Sequence, residues 1–282
     1  MIVEASAQTV RQLVRQNRSS GRQIGVVPTM GALHAGHVSL IEVARRTCDF
    51  VVATIFVNPT QFGPGEDFDR YPRTLESDLQ MCAEAGADLV FTPDVTEMYP
   101  RDVSASVHVR GSTEVLEGVL RPGHFDGVTT IVAKLFNITE PDRAYFGQKD
   151  FQQQLVIRHM VQALDFGLEI VTCPIIREPD GLAMSSRNRY LSAAERLSAV
   201  EISRALRVAS QLAESSDLSP PQIAEQMRAH LTATGAFDVQ YAVIADCHSL
   251  ELLTARQPQA VALIAARLGQ TRLIDNQILQ FR

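Results

Sequence analysis

The strongest constraint on the fold of this chain is an alternation, up to about residue 175, of short β-branched runs with stretches of helical periodicity. Residues 24–29 (IGVVPT) and 51–57 (VVATIFV) are runs of the kind buried on both faces of a parallel sheet. Between them, residues 38–46 set Leu40, Ile41, Val43 and Ala44 at helical spacing. The pattern recurs. Residues 74–85 predict a helix stopped by Gly86, and 88–92 (DLVFT) a strand. Residues 128–138 predict a helix, 143–146 a strand, 151–164 a helix and 168–172 a strand. Such βαβ alternation predicts an α/β fold with a doubly wound parallel sheet, which binds ligands beyond the carboxyl ends of its strands.

After about residue 174 the texture changes. A long helix (193–214) leads through SSDLSPP to a second helix (222–232), then to apolar runs at 239–244 and 260–266 and a final segment. The expected division is a nucleotide- and substrate-binding domain over 1–175 and a smaller C-terminal α+β domain over 176–282. With 282 residues, 45% hydrophobic and 21% charged, the chain needs no disulfide or metal to fold. Its 26 basic and 32 acidic residues give −6, which argues against a nucleic-acid-coating role. Cys48, Cys82, Cys173 and Cys247 form no C-x-x-C pair and are expected to be free, buried thiols of a reducing cytoplasm. The first 21 residues form no signal pattern and predict a short amphipathic helix, and no run is long enough to span a membrane. A cytoplasmic protein is expected.

Chemistry-bearing residues gather after the predicted strands. Met30-Gly31-Ala32-Leu33-His34-Ala35-Gly36-His37 lies between a strand and a helix, where helix N–H groups attract anions and imidazoles can follow moving charge. At this composition H-x-G-H arises by chance about 0.01 times, so a plain glycine turn with two incidental histidines is the weaker explanation. Met184-Ser185-Ser186-Arg187 offers two hydroxyls and a forked guanidinium suited to a polyphosphate, though taken alone an N-cap serine with a surface Arg is the stronger explanation. Gly147-Gln148-Lys149-Asp150 is another glycine turn into a helix, with Lys149 placed for phosphate and Asp150 for a cap or a ribose. Asn58 and Gln61 offer neutral donors and acceptors at a strand end, and Glu117 and Arg121 lie in a glycine-rich loop. No P-loop, dinucleotide fingerprint or G-x-S-x-G elbow is present. These residues together describe a nucleotide-phosphate site without a P-loop, suited to nucleotidyl transfer.

Five segments, PTMGALHAGH, NPTQFGPGEDFDRYPRT, LEGVLRPGHFDGVTTIVAKLFNI, FGQKDFQQ and MSSRNRYLS, resemble in order and spacing the pantothenate synthetase family, the AMP-forming pantoate–β-alanine ligases. The likeness runs over residues 25–192. It implies a Rossmann-like domain of the H-x-G-H nucleotidylyltransferase group and an ATP-dependent condensation of pantoate with β-alanine through pantoyl adenylate. It further implies Mg²⁺ with ATP, a homodimer, and a C-terminal domain closing over the site.

By that resemblance, His34, His37, Lys149 and Arg187 are the catalytic set, His37 being the proton donor. Met30, Gly31, Ala32, Leu33, Ala35, Gly36, Gly147, Gln148, Asp150, Ile176, Met184, Ser185 and Ser186 complete the ATP site. Gln61 and Gln153 would hold pantoate, with Gln61 also near β-alanine. Asn58, Tyr71, Glu117 and Arg121 match further active-site positions. Asp78 is the expected magnesium ligand, although Ser77 stands where the family often has a second acid. Residues 62–69, Gly-Pro-Gly-rich and next to Gln61, are expected to form a lid.

Two other readings remain at this point. Another H-x-G-H nucleotidylyltransferase would adenylylate a different acid or a phosphate ester, and would not need the Gln61–Gln153 pair. A nucleotide-binding regulator that had lost catalysis would show damage in the Lys/His/Ser-Ser-Arg set, which is intact.

Overall fold

A computed structural model describes residues 1–101 and 104–282. The elements run β1 (Ile2–Glu4), α1 (Ala7–Ser19), β2 (Ile24–Thr29), α2 (Ala35–Thr47), β3 (Phe50–Ile55), α3 (Leu75–Glu84), β4 (Leu89–Phe91), α4 (Val95–Met98), α5 (Glu117–Leu120) and α6 (His124–Thr139). They continue with β5 (Arg143–Gly147), α7 (Phe151–Ala163), β6 (Glu169–Cys173), α8 (Ala193–Ser215), α9 (Pro220–Thr232), β7 (Phe237–Ala245), β8 (Gln259–Leu268) and β9 (Thr271–Gln280). The chain divides into two compact units. One holds Met1–Gly147 and Gln152–Pro174, the other Gln148–Phe151 and Ile175–Arg282. The short turn after β5 thus groups with the second unit.

In the first unit six parallel strands stand in the order β1-β4-β3-β2-β5-β6. Strand order reverses between β2 and β5, the switch point at which open α/β sheets bind ligands. Alternation within each strand divides the core. Ile24, Val26, Phe50 and Val52 pack with residues of α1 and α6, whereas Val27, Val51 and Ala53 pack with residues of α2 and α3. Helix α6 is buried almost all round, which matches its run of apolar and small residues.

The second unit is an antiparallel β7-β8-β9 sheet backed by α8 and α9 around Ile202, Leu206, Ile223, Met227 and the strand residues Ala262, Ile264 and Leu273. Ser192 and Glu195 form a capping box that starts α8 where the sequence predicts a helix.

Three details differ from expectation. The first residues, read as the start of a helix, include β1, whose pairing with β4 is set by a partner more than 80 positions away. The helix expected from residue 128 begins at His124. Cys48, Cys82 and Cys173 are free and buried as expected, but Cys247 is half-exposed. No helix among the described residues is long and apolar enough to cross a membrane.

Candidate active site

The loop after β2 is shaped by its backbone. Gly31 and Ala32 both take left-handed φ, at 76° and 50°, and for alanine this is unfavourable. A buried carboxylate holds the loop there. Asp78, on the first turn of α3, accepts the N–H of Ala32 on Oδ2 (2.9 Å) and that of Leu33 on Oδ1 (2.8 Å), and the Thr74 hydroxyl donates to Oδ1 (3.1 Å). This delivers the chain to His34, the N-cap of α2, whose Nδ1 accepts the Gly36 N–H (3.1 Å). An accepting Nδ1 places the proton of the neutral ring on Nε2, which becomes the donor. The His37 ring lies one turn on, its centroid 4.1 Å from that of His34. Two imidazoles share the N-terminal end of a 13-residue helix, where partial positive charge gathers.

Asp78 therefore does not fit the magnesium role read from the sequence. Both oxygens are committed to loop donors, the residue is only 1% exposed, and among the described residues no three His, Cys, Asp or Glu side chains converge as a metal site.

The segment after β3 is a 3-10 turn, Pro59–Gln61, capped by Asn58. Asn58 is fully committed. Its Oδ1 accepts from Thr60 N–H, the Thr60 hydroxyl and Tyr99 OH, and its Nδ2 donates to Gln61 Oε1 (3.0 Å) and the Gly127 carbonyl (3.1 Å). It is a holder of Gln61 and not a free contact. With Oε1 taken, Gln61 presents Nε2, which lies 2.9 Å from Met30 Sδ. Tyr71 is buried and packs edge-on to Phe62, which meets Phe68 in turn, so the 62–69 segment closes on its own aromatic cluster.

Arg121 grips that segment. Its guanidinium donates to both oxygens of Glu66 (2.6 and 2.7 Å) and to His124 Nε2 (3.0 Å), while His124 Nδ1–H donates to the Gln61 carbonyl (2.7 Å). Burial raises the Glu66 carboxyl pKa, but the hydrogen bonds and charge of Arg121 outweigh it and leave it lowered. Burial, with the Arg121 charge, pushes His124 down to about 4. Between pH ~6.5 and this lower value the unfolded chain takes up a proton that the folded chain refuses, so stability falls as pH drops through that window and levels off below it. The expected loss is up to about 3 kcal/mol. Melting curves of wild type and His124→Gln across the window check this: the variant is expected to show a flatter dependence, and identical dependence would remove His124 as its source.

The start of α7 sorts the three glutamines. Gln152 is buried, takes the Glu117 N–H on Oε1 (3.0 Å) and donates to the carbonyls of Ser112 and Val115 (2.8 Å each). Gln154 accepts the Thr172 hydroxyl. Gln153, between them, is half-buried. Gln152 carries the Glu117 loop; it lies within the FGQKDFQQ segment, but the sequence of that segment alone assigns it no role.

In the second unit, Lys149 lies in the 3-10 turn Gln148–Asp150, its ammonium 3.6 Å from Asp150. Ser185 caps a second 3-10 turn by accepting the Arg187 N–H (3.3 Å), with Ser186 buried behind it. Ile176 and Met184 pair through a main-chain hydrogen bond (3.0 Å), which closes a hairpin whose end presents Ser185–Arg187. The unit thus carries an ammonium, two hydroxyls and a guanidinium suited to phosphate.

The comparisons agree with this chemistry. The sequence model of the pantoate-beta-alanine ligase family matches residues 2–278. The pantothenate synthetase of Moorella thermoacetica is 51% identical over 271 residues, 96% of each chain. The crystal structure of the Thermus thermophilus pantothenate synthetase superposes with a TM-score of 0.94 at 45% identity, over 98% of this chain and 99% of that one. The Francisella tularensis pantoate-beta-alanine ligase, solved with a beta-gamma ATP compound and beta-alanine, gives 0.81 at 33% identity over 99% and 97%. By sequence over nearly its whole length and by fold, the chain belongs to the pantoate–β-alanine ligase family and is a ligase.

Proposed function

We propose that this ligase condenses pantoate with β-alanine in two steps at the site begun by β2 and α2. In the first, a pantoate carboxylate oxygen attacks the α-phosphorus of ATP; the new O–P bond forms as the bond to the β,γ part breaks, and pyrophosphate leaves. In the second, the β-alanine amine attacks the acyl carbon, AMP departs with that oxygen, and the amine gives up its proton. The observation that carries the reading is the His34–His37 pair at the N-terminus of α2, with the loop before it held by Asp78.

Negative charge builds on the pyrophosphate as it leaves, so preorganised donors there lower the barrier more than they tighten ATP binding. His34 Nε2–H and the positive end of the α2 dipole supply this stabilisation, with His37 as proton donor. Lys149, Ser185, Ser186 and Arg187 hold the phosphate chain, Met30 rests on the nucleotide, and Gly147 and Asp150 meet the ribose. Gln61 Nε2, fixed by Asn58, donates to pantoate with Gln153 and later lies near β-alanine. Magnesium enters as the counter-ion of ATP, and residues 62–69 close over the adenylate through the Glu66–Arg121 pair.

The test follows both products with ATP, Mg²⁺ and pantoate. One burst of pyrophosphate without β-alanine, then continuous AMP on its addition, supports both half-reactions and their order. Turnover only with another acid or a phosphate ester would keep the nucleotidyl-transfer site and overturn the substrate. The family likeness supports a cytoplasmic homodimer, and sedimentation at the mass of one chain would overturn that assembly.

A further inference from the structure

The last strand carries an amide whose placement has no role in the fold of its own sheet. Along β9, Leu273 and Leu279 point into the core of the second unit, and Arg272, Ile274 and Ile278 on the other face are half-exposed. Asn276 shares that second face yet is only 1% exposed. Its Nδ2 donates to two successive carbonyls, Gln148 O and Lys149 O, each at 2.9 Å, and its Oδ1 accepts from Gln148 Nε2 at 3.1 Å. Both donors of the amide and its acceptor are matched, all by one turn almost 130 residues away in sequence. The neighbouring residue anchors the strand at this point. Asp275 accepts the Asn276 N–H (2.8 Å) and holds Arg177 through two bonds (2.7 and 3.1 Å).

We infer that Asn276 is a positioning residue that acts through Lys149. Three hydrogen bonds to adjacent groups fix the direction of the Gln148–Lys149 main chain, and with it the line along which the Lys149 side chain leaves. A lysine ammonium on a flexible stem gains from such fixing, because a misplacement of about 1 Å costs on the order of 10²-fold in rate. The pairing also accounts for the grouping of Gln148–Phe151 with the C-terminal unit. Lys149 is thereby carried by the same body as Ser185–Arg187. The inference rests on the phosphate-holding role proposed above for Lys149.

Pantoate-dependent exchange of labelled pyrophosphate into ATP reads the first half-reaction alone. Wild type is measured first, since its failure to exchange would remove the proposed reaction and not this grip. Asn276→Asp keeps the shape but turns a carboxylate toward two carbonyls, and Asn276→Ala removes the grip. Each is expected to lower kcat/KM for ATP about tenfold or more, with KM for β-alanine in the full reaction within about twofold of wild type. In a Lys149→Ala background, Asn276→Ala is expected to cost less than about twofold, because the two act as one unit. A further tenfold loss in that background, equal damage to β-alanine binding, or unimpaired exchange in Asn276→Ala would each overturn the inference. Should Asn276→Asp fail to fold, the Asn276→Ala cycle decides alone.

Discussion

Replacing His37 by alanine is expected to slow pyrophosphate release from ATP and pantoate by at least about 10²-fold while leaving the fold intact. The ring stands in the first turn of α2, 4.1 Å from His34, at the end of the helix where developing negative charge is best met. The substitution removes a donor from that cluster and leaves His34 on its cap. The effect should therefore appear in the rate of adenylate formation, with little change in melting temperature. Rapid-quench measurement of pyrophosphate separates the two. Near-normal release would take this histidine out of the mechanism, and collapse of the melting temperature would make its role structural.

Gly127→Ala is expected to be as damaging for a different reason. Gly127 lies in α6, where a Cβ would fall 2.3 Å from the Thr60 carbonyl oxygen, 2.5 Å from its carbon and 2.6 Å from Gln61 N. All three are main-chain atoms, so no side chain can rotate away. The Gly127 carbonyl is also an acceptor for Asn58, so the turn that aims Gln61 must move whichever way the clash relaxes. A loss of about 3 kcal/mol in stability is expected. A fall of about 10²-fold in turnover, from the displaced Gln61, is expected with it. Gly167→Ala is the control, with open space around its Cβ position. Urea melts and steady-state rates on both variants check this. A Gly127→Ala enzyme that matched the control would contradict the close seating of α6 on the 58–61 turn.

The sequence displays these features unequally. Strands β2 and β3 and helix α2 are legible because burial on both strand faces writes a continuous apolar run, and one buried helix face writes a 3.6-residue period. The turns after β2 and β5 are legible because glycines and anion-seeking side chains sit together at strand ends. Strand β1 is hidden because three residues write no period and its partner β4 is distant.

Asp78 illustrates a subtler limit. An acid on the first turn of a helix is compatible with a dipole contact, a metal or a clamp, and only the main-chain N–H groups of Ala32 and Leu33 decide among them. Asn58, Gln152 and Asn276 resemble it, since each amide recognises backbone, which is identical in every sequence and leaves no local signature. Gly127 stands just before the helix expected from residue 128. Only the observed start of α6 at His124 places it inside a helix, where a glycine costs about 1 kcal/mol against alanine and so points to a close contact.

The most direct test of the adenylate route uses pantoate labelled with oxygen-18 in both carboxylate oxygens. The oxygen that attacks the α-phosphorus must leave on AMP, while the other stays in the amide carbonyl of the product. Mass spectrometry is expected to find one labelled oxygen in each AMP formed. AMP free of label, with ATP consumed and pantothenate made, would contradict attack of the carboxylate on the α-phosphorus.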